Sequence, residues 1–172
     1  MSKFMELRHV RFRPLETEDL KQLRDWRNDP KVRESFREYR PLNMQNQEKW
    51  FASLQDGRDI MFMVVCDKGD PVGVGGLCYI DQHNRHAELS YYVGDKVYSG
   101  KYDVEIINAL VKYGFEEVGL HRISAECYAF ATDRLSVIEE CGFKRDGVMR
   151  DVVFRHGKFW DSIMLSILEG ER

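Results

Sequence analysis

The chain has 172 residues, 43 % hydrophobic and 32 % charged, and carries a formal net charge of -3. That size and balance give one globular domain with a single substantial core, not a disordered segment or a polyanion-binding surface. The N-terminal MSKFMELRHVRF has no sustained apolar run, and no later stretch approaches the roughly 20 apolar residues of a membrane span. A cytoplasmic protein with no nucleic-acid or membrane partner is the expectation.

Residues 7–13 alternate in polarity and predict a first strand. Thr17, followed by Glu18 and Asp19, predicts a capped helix with Leu20, Leu23 and Trp26 along its apolar stripe. Asp29-Pro30 begins a second short helix, and Asn43 opens a third through Trp50, Phe51 and Leu54. Segments 60–66 and 71–80 form a hairpin around Asp67-Lys68-Gly69-Asp70, with Gly75-Gly76 marking a bulge or a close backbone approach. A fourth strand covers 87–93. A helix over 104–118 follows, with Val104, Ile107, Val111, Phe115 and Val118 on one face. Next come a strand at 121–128, a short helix through Leu135 and Ile138 ending at Gly142, and a hairpin of 148–155 with 158–168 turning at His156-Gly157. This order gives an α+β fold with a mixed, mainly antiparallel sheet.

Cys66, Cys78, Cys127 and Cys141 are spaced too widely for a zinc site and read as reduced core thiols, although Cys66 and Cys78 could meet across the hairpin. The five histidines show no pair at metal-ligand spacing, so no metal is expected.

From about Val10 to Leu168 the chain resembles the GNAT superfamily of N-acetyltransferases, in the branch of ribosomal-protein N-terminal acetyltransferases. The blocks that carry the resemblance are RFRPLETEDL, DWRNDPKVR, EKWF, AELSYYVGDK, LHRISAE, IEECGFKRDGVMRD and VFRHGKFWD. The resemblance implies a sheet splayed between its fourth and fifth strands, with helices on both faces and acetyl-CoA lying in the split. It also implies a pyrophosphate site on the loop before the 104–118 helix, where Gly100, Lys101, Tyr102, Asp103 and Val104 stand. Helix N-termini and glycine-rich loops bind anions through free backbone N–H groups. This loop, Tyr98-Ser99-Gly100-Lys101-Tyr102-Asp103, lacks one of the family's glycines and has Asp103 in place of another. Asp103 reads either as a residue facing the phosphates or as the helix N-cap, bonding the amides of Glu105 or Ile106. Ala131 and Arg134 replace the asparagine and serine usual at the start of the short helix, and Ile138 stands where other branches have an acidic tyrosine. Arg134 is an alternative phosphate ligand.

The strand 87–93 offers backbone groups at Tyr91 and Val93 for orienting a thioester. Alternation puts Glu88, Ser90 and Tyr92 on one face. Glu88 is the candidate general base, or else a structural carboxylate paired with Arg85 or Arg122. Tyr92 is a candidate proton donor to the leaving thiolate, or else a packing residue. Trp26, Arg27, Ser90, Arg150, Arg155 and Asp161 match positions on the acceptor side in relatives. The resemblance implies two alternative functions. One is an acetyl-CoA-dependent N-acetyltransferase acting on a primary amine of a protein N-terminus, an aminosugar or another small molecule. The other is a catalytically inactive GNAT-fold interaction protein whose acetyl-CoA site is impaired. Hairpin-mediated homodimers occur in the family.

Overall fold

The computed structural model describes residues 7–171. Seven strands form one sheet in the order β1-β2-β3-β4-β5-β7-β6: β1 Val10–Pro14, β2 Ile60–Cys66, β3 Pro71–Asp81, β4 His86–Val93, β5 Arg122–Tyr128, β6 Lys144–Arg155 and β7 Lys158–Leu168. Every neighbouring pair is antiparallel except β4–β5. That parallel pairing covers only His86–Glu88 against Arg122–Ser124. Beyond it the two strands part, leaving the edge of β4 from Leu89 to Val93 without a strand partner on that side. The splay expected between the fourth and fifth strands is therefore present.

The alternation of side chains divides the core in two. Val64, Val72, Leu77, Leu89 and Tyr91 meet α4 (Asp103–Glu116) and Ile138 of α5 (Thr132–Glu140) on one face. Met63, Val65 and Val74 meet Leu20 and Leu23 of α1 (Leu20–Asn28), and Trp50 and Phe51 of α3 (Met44–Ser53), on the other. Each fully buried large side chain contributes about 1.5–3 kcal/mol of transfer free energy, so both faces hold the sheet.

Several local expectations hold. Asp29 Oδ1 accepts from Lys31 N at the start of α2 (Pro30–Arg33), and Asn43 and Asn46 cap α3 reciprocally. His156 and Gly157 take left-handed φ values of 53° and 77°, the requirement of a tight hairpin turn. Gly76 is a close approach: a Cβ there would lie 2.0 Å from Ile60 O. All four cysteines are free thiols.

Other expectations need correction. The first strand begins at Val10, not Leu7. Thr17 is not a cap; residues 17–19 form a 3-10 turn in which the Asp19 carboxylate reaches back to Glu16 N at 2.9 Å and binds Arg13 at 2.7 and 2.8 Å. The helix after the fourth strand starts at Asp103 and ends at Glu116, so Val118 lies beyond it. Its buried stripe is wider than one line of residues, taking in Ile106, Ala109, Leu110 and Gly114, because α4 packs across β3 and β4. The sixth strand begins earlier, at Lys144.

Candidate active site

A cleft of about 620 Å³ opens where β4 and β5 diverge. Its floor is the sheet, through Met61, Val74, Cys78, Glu88, Ser90, Tyr92, Glu126 and Tyr128. Its roof is Arg27 of α1, the loop 35–42, and Asn46, Lys49 and Trp50 of α3. A register shift between Cys78 and Asp81 forces Tyr79 into a left-handed φ of 52°, held by donation of its N–H to Asp59 Oδ1 at 2.8 Å. Tyr79 thereby stands at the rim.

Glu88, Ser90 and Tyr92 all line the cleft, as alternation requires. Glu88 does not pair with Arg85, which bonds Gly119 O, or with Arg122, which bonds Asp146. Its partner is Arg37, a loop residue, at 2.9 Å. The same guanidinium nitrogen donates to Glu126 Oε2, and Arg37 Nε reaches that oxygen at 2.9 Å. Glu126 Oε1 accepts from Ser162 at 2.5 Å. Burial works against the charge on Arg37, but the hydrogen bonds to Glu88 and Glu126 outweigh it and hold the guanidinium protonated. Glu126 is the more enclosed of the two carboxylates, while a quarter of the Glu88 side chain remains exposed. Its Oε1 makes no hydrogen bond among the described residues.

Tyr92 lies edge-on to Trp26 and Phe36, with ring centroids at 6.4 and 5.6 Å. Burial raises its pKa, so its hydroxyl stays protonated. Arg27 sits with its guanidinium carbon 3.5 Å from the Phe36 ring centre, and its Nη1 is buried without a hydrogen-bond partner among the described residues. Trp26 is not part of the cleft wall; it packs beneath Tyr92 and against Gly94. Arg150 is exposed on β6. Arg155 donates to Phe36 O at 2.9 Å, and Asp161 accepts from Asp151 N at 3.0 Å across an irregular stretch of the β6–β7 pairing. Both brace elements around the cleft without lining it. Cys78 does line it, but burial pushes its thiol up to about 12, which rules out a ready thiolate nucleophile.

Arg134 of α5, which also lines the cleft, donates to Tyr91 O at 3.2 Å and stacks 4.2 Å from the Tyr91 ring centre. That carbonyl faces the split, and residues two apart along a strand present their backbone groups to the same edge. The N–H groups of Tyr91 and Val93 therefore point into the opening. The loop below carries Gly100, exposed at φ 74°, and Lys101, whose ammonium lies over Tyr98 and Tyr102. The Tyr102 side chain is buried in the core, so only its backbone is offered to the loop. Asp103 is the first helical residue, not the cap; Tyr102 holds the cap position and makes no side-chain cap bond. Asp103 Oδ2 and the Tyr91 hydroxyl are both buried and lie beside each other, close enough to act on one another's titration but without a well-formed hydrogen bond among the described residues. Burial raises the Asp103 pKa, against the opposing pull of Tyr91, Arg134 and the loop amides.

Sequence reasoning missed Arg37, Glu126, Tyr128 and Tyr79. Alternation along β5 puts Ser124, Glu126 and Tyr128 on one face, a signal that would have found Glu126 and Tyr128. Arg37 lies in an aperiodic loop and gave none.

A sheet parted at a parallel pair, with an acidic and an aromatic wall in the opening, defines an acyltransferase architecture. The acetyltransferase (GNAT) domain profile matches residues 9–144, and the chain belongs to this family. It is 26 % identical over 165 residues to p20, an uncharacterized N-acetyltransferase of Bacillus licheniformis, covering 92 % of each chain. It is 34 % identical over 108 residues to YdaF of Bacillus subtilis, named as a candidate ribosomal N-acetyltransferase, covering 60 % of this chain and 56 % of YdaF. The fold superposes on the crystal structure of a Vibrio cholerae spermidine N-acetyltransferase with CoA and spermine. The TM-score is 0.88 at 23 % identity, over 94 % of this chain and 96 % of that one. The protein is an N-acetyltransferase, and acetyl-CoA is the acetyl donor of its family.

The residues present fit that donor. The unpaired edge of β4 offers amides to an extended chain, and the first turn of α4 offers free N–H groups to an anion. Asp103 stands at the second of these, where burial raises its pKa.

Proposed function

We propose that the protein transfers acetyl from acetyl-CoA to the primary amine of a small-molecule or peptide acceptor by direct attack, with Glu88 as general base. The observation that carries this reading is the convergence of Glu88 and Glu126 on one guanidinium nitrogen inside the cleft. Two carboxylates arranged around a cationic nitrogen form a seat for an ammonium group as well. Glu126, fixed by Ser162 and Arg37, positions the cluster. Glu88, with one oxygen open to the cleft, takes up the proton released as the nitrogen–carbon bond forms.

Bound acetyl-CoA supplies the activated thioester. The amides of Tyr91 and Val93 orient it, and the first turn of α4 with Gly100, Lys101, Val104 and Arg134 holds its phosphate end. Tyr92 is the donor toward sulfur as the carbon–sulfur bond breaks; burial raises its pKa and opposes full transfer, while the Arg27 charge beside it favours the phenolate that would be left. Arg27 and Ser90 contact the acceptor. For assembly, the exposed Val148, Met149, Val152, Phe154 and Phe159 on β6 and β7 support a homodimer through this hairpin.

The test is Glu88→Gln, assayed by thiol release with a panel of amines and by calorimetry with acetyl-CoA. Turnover falls by about 100- to 10,000-fold while acetyl-CoA affinity stays within a factor of about two. Unchanged turnover across pH would remove Glu88 from the mechanism.

A further inference from the structure

Cys78 and Tyr79 are consecutive on β3, yet both line the cleft. Regular alternation along a strand sends neighbouring side chains to opposite faces, so Tyr79 would point away. The register shift after Cys78 supplies the exception. Tyr79 adopts φ 52°, a conformation that glycine takes freely and that crowds the β-carbon of any other residue. Two hydrogen bonds to the residues just before β2 hold the chain there. Tyr79 N donates to Asp59 Oδ1 at 2.8 Å, and Ile80 N donates to Arg58 O at 2.8 Å.

The ring aimed in this way is not packed into the protein: Tyr79 is 61 % exposed. The Arg37 guanidinium carbon lies 5.8 Å from its ring centre, and that guanidinium bonds Glu88 at 2.9 Å. Cys78 is also the cross-strand partner of Glu88. The ring therefore stands at the rim, close to the carboxylate that receives the reacting amine. A bulge that turns a strained, exposed aromatic toward a ligand cleft costs stability and gives the folded chain little contact in return. We propose that Tyr79 is a specificity determinant, its ring packing against the part of the acceptor next to the amine and selecting acceptors that carry an apolar or aromatic group there. Asp59 acts through Tyr79, as a positioning residue. This rests on the reading of the cleft as the acceptor site with the amine at Glu88. A phenol ring offers a large, rigid contact face at little cost in rotamer freedom, so its gain falls to planar and apolar groups, and a short hydrophilic chain gains less.

The experiment is calorimetric titration of phenylalanine amide, alanine amide, 2-phenylethylamine and ethylamine into the parent and into variants at Tyr79 and Asp59. The expected result is that the aromatic member of one or both pairs binds the parent about 5- to 50-fold more tightly than its small counterpart. Tyr79→Ala reduces that preference to within about threefold and leaves the affinity for the small amines nearly unchanged. Tyr79→Phe keeps the preference, because the ring face and not the hydroxyl makes the contact. Tyr79→Gly suits the left-handed backbone, so it is more stable in denaturant than Tyr79→Ala, yet it loses the preference as fully. That pair separates loss of the ring from any folding defect. Asp59→Ala keeps the ring, frees the bulge and loses most of the preference. Equal binding within both pairs, a preference that survives in Tyr79→Ala or Tyr79→Gly, or no binding by any of the amines overturns the proposal. Binding is read without acetyl transfer. A Glu88→Gln variant that keeps turnover but shows the Tyr79-dependent preference would refute the general base and leave this inference standing.

Discussion

Glu88 and Glu126 stand on the two strands that part to open the cleft, yet both accept hydrogen bonds from one nitrogen of Arg37. The bridge spans the mouth of the split just past the last parallel pairing, at Glu88 and Ser124. It keeps two carboxylates together in a site that would otherwise drive them apart.

Removing that bridge has a direct consequence for stability. In Arg37→Met, Glu88 and Glu126 lose the cation they share and keep each other as like-charged neighbours, so chemical denaturation shows a loss of about 1–3 kcal/mol and turnover falls with it. Unchanged stability and turnover would show that the bridge does not hold the cleft.

Asp103 gives a prediction in the opposite sense for stability. Its pKa is raised above the ordinary carboxyl value of 3.8, because burial disfavours its charge. The folded state therefore holds this proton more tightly than the unfolded chain, and the stability it gives is complete below 3.8 and is lost as pH rises through the folded value. Asp103→Asn escapes that loss: it is more stable than the parent at neutral pH and shows no gain near pH 3 in denaturant titrations. The same change relieves repulsion of a bound pyrophosphate by about 1–2 kcal/mol, tightening acetyl-CoA about 5- to 30-fold at neutral pH. Parent affinity that does not improve as pH falls would place the phosphates away from Asp103.

Gly94 sits where the end of β4 meets α1, and a Cβ there would lie 2.2 Å from the Trp26 ring. Gly94→Ala must push Trp26, which in turn bears on Tyr92. It costs about 1–3 kcal/mol of stability, the usual penalty of overpacking, and lowers turnover through Tyr92 without altering acetyl-CoA affinity. Chemical denaturation and single-turnover assays check the two effects separately.

The exposed hairpin face predicts assembly. Phe154→Glu places a charge beside Phe159, whose ring centroid is 5.1 Å from that of Phe154, and converts the proposed dimer to monomer in analytical ultracentrifugation. A parent already monomeric at micromolar concentration would refute the interface.

Much of this architecture could be read from residues alone. Alternation located the first strand, apolar runs bounded by turn residues located the hairpins, and period two put Glu88, Ser90 and Tyr92 on one face, because a pleated strand leaves no freedom in that respect. The capping chemistry of Asp29 and Asn43 is local and was legible for the same reason. What could not be read depends on contacts distant in sequence. Arg37 is separated from Glu126 by 89 residues, and no periodicity connects a loop to a strand. Thr17 looked like a better cap than its neighbours, but Asp19 is held by Arg13 and tightens the turn one residue earlier. Asp103 has a preferred cap chemistry and still became the first helical residue, since Tyr102 is anchored in the core against Tyr98 and His9.

The loop between α2 and α3 makes contact with nearly every part of the molecule around the cleft. Arg37 ties it to β4 and β5, Phe36 O takes a bond from Arg155 of β6, and Leu42 exchanges two hydrogen bonds with Asn28 of α1. The sheet itself joins its two halves through three residue pairs. Much of the coupling between those halves therefore runs through the aperiodic segment 34–43, outside the hydrogen-bonded ladder. Such a segment opens at lower free energy than a core strand. Loosening it frees the acceptor side and slackens the parted strands in one event, so access to the cleft and cohesion of the sheet are governed by the same latch.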